Sequence, residues 1–151
     1  IEAPYAEIFR EESKAILKKG VQVVYDKGKV KSKIMDAFFK ENRFVFQKNV
    51  ILNHQMKSNK KFHLQAPYLE MFSEDNSFNA KNGVEIDYDN RILKSASANY
   101  KSQEDKLILT NKVRIQEEDG WIECKQAEFD LSKEKDYFVA KGQVELEVEI
   151  E

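Results

Sequence analysis

The chain has 151 residues, of which 25 are lysine or arginine and 27 are aspartate or glutamate, so its formal net charge at pH 7 is -2. This length suits one domain, and no Pro-, Gly- or Ser-rich linker divides it, so we expect a single domain over residues 1–151. The near-neutral charge gives no bulk attraction for nucleic acid, and no window approaches the roughly 18 consecutive apolar residues of a membrane-spanning helix.

The chain begins with a segment that returns 63 residues later. Residues 3–9 read Ala-Pro-Tyr-Ala-Glu-Ile-Phe and residues 66–72 read Ala-Pro-Tyr-Leu-Glu-Met-Phe. The match continues from residues 18–26 to residues 81–89 at the same offset. A fixed offset over two such blocks indicates internal duplication.

One early stretch is ambiguous. Residues 6–19 contain few turn formers and are compatible with a short helix. The duplicated partner, residues 69–82, contains the turn-forming sequence Glu-Asp-Asn-Ser. Because duplicated segments share a fold, we expect a strand, a turn and a second strand over residues 6–19.

A shorter signature of alanine, any residue and an aromatic residue occurs five times along the chain. Its copies are Ala3 to Tyr5, Ala37 to Phe39, Ala66 to Tyr68, Ala98 to Tyr100 and Ala127 to Phe129. A valine lies 14 or 16 residues before each of the last four alanines, and one more begins another unit; these are Val21, Val50, Val84, Val113 and Val144. The five units predict a tandem repeat.

Apolar and polar residues alternate within the units, which is the period of a half-buried strand. The alternation places Phe62, Leu64, Ala66 and Tyr68 on one face. The last segment alternates in the same way, with Val144, Leu146, Val148 and Ile150 between glutamates. Turn-forming residues between the runs predict about ten strands.

Two further features predict irregularities in these strands. The run from Trp121 to Cys124 is out of phase with Ala127, so a β-bulge is expected between them. Gly20, Gly83 and Gly142 are expected at turns or bulges where a strand begins.

The residues offer little for catalysis. The two histidines, His54 and His63, lie on separate segments, and the single cysteine, Cys124, has no zinc-ligand or redox spacing to either. Asp87 and Asp89 flank a tyrosine near a turn, where a solvated strand end is the simplest interpretation. We therefore expect no enzyme activity, no catalytic residue, no metal and no cofactor.

Repeated hairpins with one apolar face form a β-solenoid, a sandwich or an open, twisted jelly roll. Their inward faces either pack a filled core or line a groove that can hold acyl chains, and the alternation itself fits both. The steps between the signature alanines are 34, 29, 32 and 29 residues. A solenoid tends to keep a strict period, so these unequal steps favour a jelly roll.

The repeat resembles a known family. Units of Gly or Asn, Val, any residue, Val or Ile, followed by Ala-x-Tyr/Phe and a new valine, are similar to the OstA-like repeats of the periplasmic lipopolysaccharide-transport proteins LptA, LptC and the N-terminal domain of LptD. The resemblance runs from Ile1 to Leu146. It implies an all-β, twisted, V-shaped antiparallel jelly roll in the periplasm. Its apolar interior would carry the acyl chains of lipopolysaccharide towards the outer membrane.

The resemblance also implies partners, since members of this family join edge to edge with one another or with copies of themselves. The first residues of the chain match the middle of a repeat unit, so we expect the natural protein to start earlier. A cleaved signal or an N-terminal helix anchored in the inner membrane would fit that expectation. A structural β-solenoid or cell-envelope scaffold without lipid remains the alternative, and a jelly-roll enzyme of the cupin type would need clustered histidines that are absent here.

The predicted lining of the interior follows from the inward face of each unit. It comprises Val21, Val23, Phe39, Val50, Leu52, Leu64, Tyr68, Val84, Ile86, Tyr100, Val113, Ile115, Phe129, Val144 and Leu146. A basic cluster of Lys57, Lys60 and Lys61 could contact lipid phosphates, although a solvated turn is the simpler interpretation.

Overall fold

The computed structural model describes residues 1–56, 59–132 and 137–149. Within these ranges thirteen strands form one antiparallel sheet, with a single 3-10 turn and no α-helix. The all-β, antiparallel jelly roll predicted from the hairpin repeats is confirmed. The elements are β1 (Tyr5–Phe9), β2 (Lys14–Lys18), β3 (Val21–Tyr25), β4 (Gly28–Ser32), β5 (Ile34–Phe38), the 3-10 turn (Phe39–Glu41), β6 (Arg43–Gln55), β7 (Lys61–Phe72), β8 (Ser77–Tyr88), β9 (Arg91–Lys101), β10 (Lys106–Glu117), β11 (Gly120–Asp130), β12 (Tyr137–Lys141) and β13 (Glu145–Val148).

Six short strands are the halves of three longer strands, namely β2 with β3, β4 with β5, and β12 with β13. Strands β4 and β5 both pair with β6, and β12 and β13 both pair with β11. Likewise β2 pairs with β5 while β3 pairs with β4. Counting each pair as one long strand leaves ten strands, in agreement with the number that the turn spacing predicts. The ambiguous segment near the N-terminus forms β1, a turn and β2, as its duplicated partner indicates.

Every second long strand contains two consecutive residues in the left-handed region of backbone space. These pairs are Lys19-Gly20, Lys48-Asn49, Asn82-Gly83, Asn111-Lys112 and Gly142-Gln143. Each pair comes directly before one of the five repeat valines. In the long hairpins the strand register shifts at the pair, so two residues face one on the neighbouring strand. The repeat valine therefore marks a β-bulge.

The bulges line up across the whole sheet. On the intervening strands a single residue lies opposite each pair, and these residues are Pro4, Lys33, Pro67, Ala96 and Lys125. We call this row of five pairs and five single residues the spine. Hydrogen bonds from the Gly20 nitrogen to the Lys33 oxygen (3.2 Å) and from the Lys33 nitrogen to the Lys48 oxygen (3.0 Å) connect its members.

The sheet folds over along the spine. Phe78 pairs with Met71, which lies nine residues along β7 from Phe62, and that separation is about 30 Å in an extended strand. The ring centroids of Phe62 and Phe78 are nevertheless only 5.7 Å apart. The hairpin must therefore bend back on itself, and the two halves of the sheet become two layers that face each other.

Rows of apolar side chains face the space between these layers, which we call the interior. The first layer contains β1, β2, β5, β12 and the adjoining halves of the long strands, and the second contains β3, β4, β13 and the other halves. One row of register partners in the second layer is Val23, Val30, Leu52, Leu64, Ile86, Leu93, Ile115, Ile122 and Leu146. A row in the first layer is Ile8, Ala15, Ala37, Phe44, Met71, Phe78, Tyr100, Leu107, Phe129 and Phe138.

The bend changes which residues face inwards. On β7, Ala66 is buried, Pro67 lies in the spine, and Leu69 is the next buried residue. The prediction that Tyr68 shares a face with Ala66 was wrong, because the register shift at the spine turns Tyr68 to the outer face. There the Lys81 ammonium lies 5.6 Å from the centre of its ring.

The irregularity expected after Cys124 is present. The register between β10 and β11 shifts between Thr110 and Val113, and the extra residues of the bulge lie on β10. Gly20, Gly83 and Gly142 all have positive φ angles of 99°, 97° and 81°, in agreement with their expected place at bulges.

A matched pair of substitutions tests the bulge geometry. Gly83 and Asn49 occupy the same position of neighbouring bulges, with φ angles of 97° and 53°. We expect Gly83→Ala to lower the free energy of unfolding by about 1 to 2 kcal/mol, since an L-residue with a Cβ atom resists the left-handed region. No atom lies within 4 Å of the added Cβ, so the loss would come from the backbone alone. Asn49→Gly should have little effect. Urea denaturation measures both, and equal midpoints for Gly83→Ala and the parent chain would contradict this geometry.

Candidate functional site

The interior is the candidate site, and most of the predicted lining lies in it. The buried members are Val21, Val50, Leu52, Leu64, Val84, Ile86, Tyr100, Val113, Ile115 and Phe129. Val23 is partly buried and packs against the same core. These positions show that the residues face the interior, and contact with a lipid stays a prediction.

Four predicted lining residues lie elsewhere or are uncovered. Tyr68 is on the outer face, as described above, and Phe39 lies in the 3-10 turn with 49% of its surface exposed, because strand β5 has already ended. Val144 and Leu146 are 44% and 62% exposed. Leu146 does belong to an interior row, but within the described residues β13 pairs only with β11, so nothing covers it.

The side of the interior opposite the spine is closed by four rings. His54 and Phe62 from the second layer meet Phe78 and Tyr100 from the first, and all six centroid distances fall between 5.2 and 6.3 Å. We call these four residues the mouth cluster. Among the described residues, these rings make the ring-to-ring contacts between the layers, so opening the interior at this point requires the cluster to separate.

Hydrogen bonds surround the mouth cluster. The Tyr25 hydroxyl lies 2.7 Å from Nδ1 of His54. The Tyr100 hydroxyl donates to Oδ1 of the buried Asp105 at 2.9 Å. Nearby, Nδ2 of Asn76 donates to Oδ1 of Asp26 at 3.3 Å and joins a turn of the first layer to one of the second. Polar contacts thus reinforce the aromatic closure.

Burial keeps the mouth cluster uncharged at neutral pH. It lowers the pKa of His54 to about 4, while Asp105 and Asp26 oppose this shift and Lys27 adds to it. Burial also raises the pKa of Tyr25 and of Tyr100 well above the usual value. A protonated imidazole among these rings would be poorly solvated, so acid should weaken the closure.

The predicted lining included Tyr100 and omitted the other three members of the mouth cluster, although Phe62 was placed on the apolar face of its strand. His54, Phe62 and Phe78, like Tyr100, lie four or five residues from the spine residue of their own strand. When the sheet folds along the spine, residues at equal distances from it come together. Aromatic residues four or five positions from the spine on the four neighbouring strands β6 to β9 are therefore the signal that could have identified them.

The other polar candidates make contacts that stabilise the fold. His63 lies with its Nδ1 atom 2.7 Å from Oδ1 of Asn53, and the Cys124 thiol donates to the Gln126 carbonyl at 3.3 Å. Among the described residues, no three His, Cys, Asp or Glu side chains are grouped to hold a metal ion. In the predicted basic cluster, Lys60 pairs with Asp89 at 3.1 Å, Lys61 is exposed, and Lys57 lies outside the described residues.

Comparisons with known proteins add a structural similarity. No family model matches the sequence, and no curated protein matches it. Among solved structures, the chain is similar to LptH from Pseudomonas aeruginosa, described as the LptA-homologous periplasmic component of a lipopolysaccharide transport device. The similarity covers 99% of this chain and 93% of that chain, with 10% sequence identity and a TM-score of 0.40. In the described part of the chain, no helix has the length and apolar character needed to cross a membrane.

The His54 environment predicts a pH-dependent stability. Between pH 6.5 and 4 the unfolded chain binds a proton at His54 that the folded chain does not, because the folded pKa is about 4. The contribution of His54 is therefore complete above pH 6.5 and is lost as the pH falls to 4, by up to about 3 kcal/mol. We expect His54→Phe to remove this part of the pH dependence in urea denaturation, and His63→Phe to retain it. Parallel curves for His54→Phe and the parent chain would contradict the prediction.

Proposed function

We propose that this chain holds the acyl chains of lipopolysaccharide in its interior and passes them through the periplasm towards the outer membrane. One observation supports the proposal above others: the apolar rows continue from strand to strand, and one of them ends uncovered at each edge of the sheet. Ile8 at one edge is 67% exposed and Leu146 at the other is 62% exposed. A self-contained core would cover its ends, whereas a segment of a longer apolar path would leave them open.

Exposure of an acyl chain to water along such a path would cost a large free energy. Each methylene group of an acyl chain loses about 0.8 kcal/mol of favourable transfer free energy when it is exposed to water. A carrier must therefore shelter the chain along its full length. Rows of valine, isoleucine, leucine and phenylalanine side chains that continue from strand to strand provide such shelter.

The partners in this proposal are proteins with the same kind of edge. Within the described residues, β1 pairs only with β2 and β12 pairs only with β11, so each leaves one side of its backbone unpaired. Such edges accept a further strand by β-augmentation. Added strands from another jelly-roll protein, or from a second copy of this chain, would extend the apolar rows beyond Ile8 and Leu146. Exposed glutamates on β13, at positions 145 and 147, would limit indiscriminate pairing.

Lipid can reach the interior through an uncovered edge or from the side. The mouth cluster closes the interior opposite the spine, so an acyl chain enters from that side when the four rings part and the bulges of the spine act as the hinge. The cluster has no covalent link between the layers, and its contacts are of the kind that an acyl chain can replace.

A second candidate function follows from the same closure. The four rings of the mouth cluster pack against one another, and many interior side chains are fully buried. A filled interior of this kind suits a structural scaffold of the cell envelope that carries no lipid.

Crosslinking at matched positions of β7 separates these functions. We expect benzoylphenylalanine in place of Phe62, which faces the interior, to form adducts with lipopolysaccharide on irradiation. The same residue in place of Tyr68, six positions along the strand and on the outer face, should form few. Gel mobility and mass spectrometry measure the adducts. A scaffold predicts no adduct at Phe62, and equal labelling at both positions would also contradict the lipid carrier.

The edge residues give a test of assembly. We expect the double variant Ile8→Lys and Leu146→Lys to weaken edge-to-edge association at least tenfold, because the two lysines place charges at the ends of the apolar rows. The matched control is Val24→Lys with Ile92→Lys, two exposed residues on the outer face. Analytical ultracentrifugation measures the association of each protein with itself. A parent chain that stays monomeric at high concentration, or equal effects of the two double variants, would contradict self-association through the edges.

A further inference from the structure

The spine carries a second feature, a concentration of lysine. Its five pairs and five single residues make fifteen positions, of which five are lysine and none is aspartate or glutamate. The lysines are Lys19, Lys33, Lys48, Lys112 and Lys125. They lie on a chain whose total charge is -2, so the positive charge is local to this row.

Three of these lysines occupy an unfavourable backbone conformation. Lys19, Lys48 and Lys112 have φ angles of 67°, 68° and 52°. Glycine and asparagine adopt this left-handed region more readily, and they fill six of the other seven positions in the pairs. Folding alone would favour Asn or Gly in place of these lysines. Conformational cost retained at such positions points to a use for the side chain.

The lysines also lack the partners that would neutralise them. Among the described residues, none of the five forms an ion pair with a carboxylate. All five are exposed. Their charges are therefore available to an anion outside the molecule.

An open groove of about 1230 Å³ follows the middle of the spine. Pro67, Gly83 and Ala96 line its centre, where side chains are short. Lys33 and Lys48 lie towards one end, and Lys94 and Lys112 towards the other, with Glu85 beside Lys94 in the strand register. A smaller groove of about 500 Å³ continues past Lys48 to Lys18 and Lys19.

The length of the spine favours an extended anionic surface as the partner over a small anion. The row crosses ten strands, which is about 43 Å at the usual spacing between strands. Its lysines are all exposed along this length, so an extended anionic surface can contact several of them at once, whereas a small anion would use only one end. The charged groups are lysine ammonium groups, point charges that bind phosphate without the planar geometry that arginine prefers.

We propose that the spine is a docking surface for an anionic membrane, with its lysines bound to lipid phosphates. In this orientation the mouth cluster faces away from the bilayer, the strands run away from the membrane, and the row of strands from β1 to β12 extends parallel to the membrane plane. Neighbouring chains could then pair at their edges while docked. The proposal does not depend on whether the interior carries a lipid.

Vesicle binding tests the docking surface with variants that preserve the fold. We expect the chain to co-sediment with vesicles that contain phosphatidylglycerol, to bind pure phosphatidylcholine vesicles weakly, and to dissociate as salt is raised. The variant Lys48→Asn with Lys112→Asn should bind phosphatidylglycerol roughly 30-fold more weakly, since each lysine near an anionic surface contributes about 5-fold. Its melting temperature should equal or exceed that of the parent chain, because Asn suits the left-handed region.

The matched control is Lys40→Asn with Lys101→Asn, which removes the same charge from exposed positions away from the spine. It should bind the vesicles as the parent chain does. Failure of the parent chain to bind phosphatidylglycerol, equal binding to both vesicle types, or equal losses in the two variants would overturn the proposal. Binding to soluble polyphosphate is measured in the same way. If the chain binds polyphosphate through the spine lysines and does not bind vesicles, the assignment to a membrane is overturned.

Discussion

Two left-handed residues on every second strand are the constraint on which the rest of the structure depends. An antiparallel sheet of ten long strands would otherwise expose one complete apolar face to water. The bulges align across the sheet, so all strands bend at the same level and the apolar face is folded against itself. Alignment matters because neighbouring strands that bent at different levels would lose the hydrogen bonds between them.

Small residues adapt the intervening strands to this bend. The repeat valines Val21, Val50, Val84 and Val113 lie opposite the small residues Ser32, Ala66, Ser95 and Cys124. Three of these small side chains donate a hydrogen bond across the spine residue to a carbonyl two positions further on. The acceptors are Ile34 (2.9 Å), Ser97 (2.8 Å) and Gln126 (3.3 Å). Ala66 has no such donor, and there the ring of the following Pro67 restricts the backbone instead.

The position of the bend explains how much of the fold could be predicted from the sequence. Alternation and the turn formers were enough for the strands and most of the interior rows, whereas the five valines predicted the repeat without revealing that each follows a bulge. The Ala-x-Tyr/Phe signature was a less reliable guide, since its copies lie at different distances from the bend. Ala98 comes two residues after its spine residue, so Tyr100 faces inwards, whereas Ala66 comes just before Pro67 and Tyr68 faces outwards. Sequence spacing does not reveal which side of the bend a residue occupies until the spine is located.

The closed mouth is compatible with a carrier, because the aromatic contacts of the mouth cluster and the transfer of an acyl chain out of water contribute similar free energies. Each of the four rings contacts the other three, and six aromatic contacts contribute roughly 3 to 9 kcal/mol beyond simple burial. An acyl chain of about a dozen methylenes gains about 10 kcal/mol on leaving water. In the proposed carrier, a single chain would therefore offset the loss of the mouth cluster, and without lipid the cluster would keep the interior out of water. Side chains that pack in the absence of lipid and yield in its presence would reconcile a filled interior with transport.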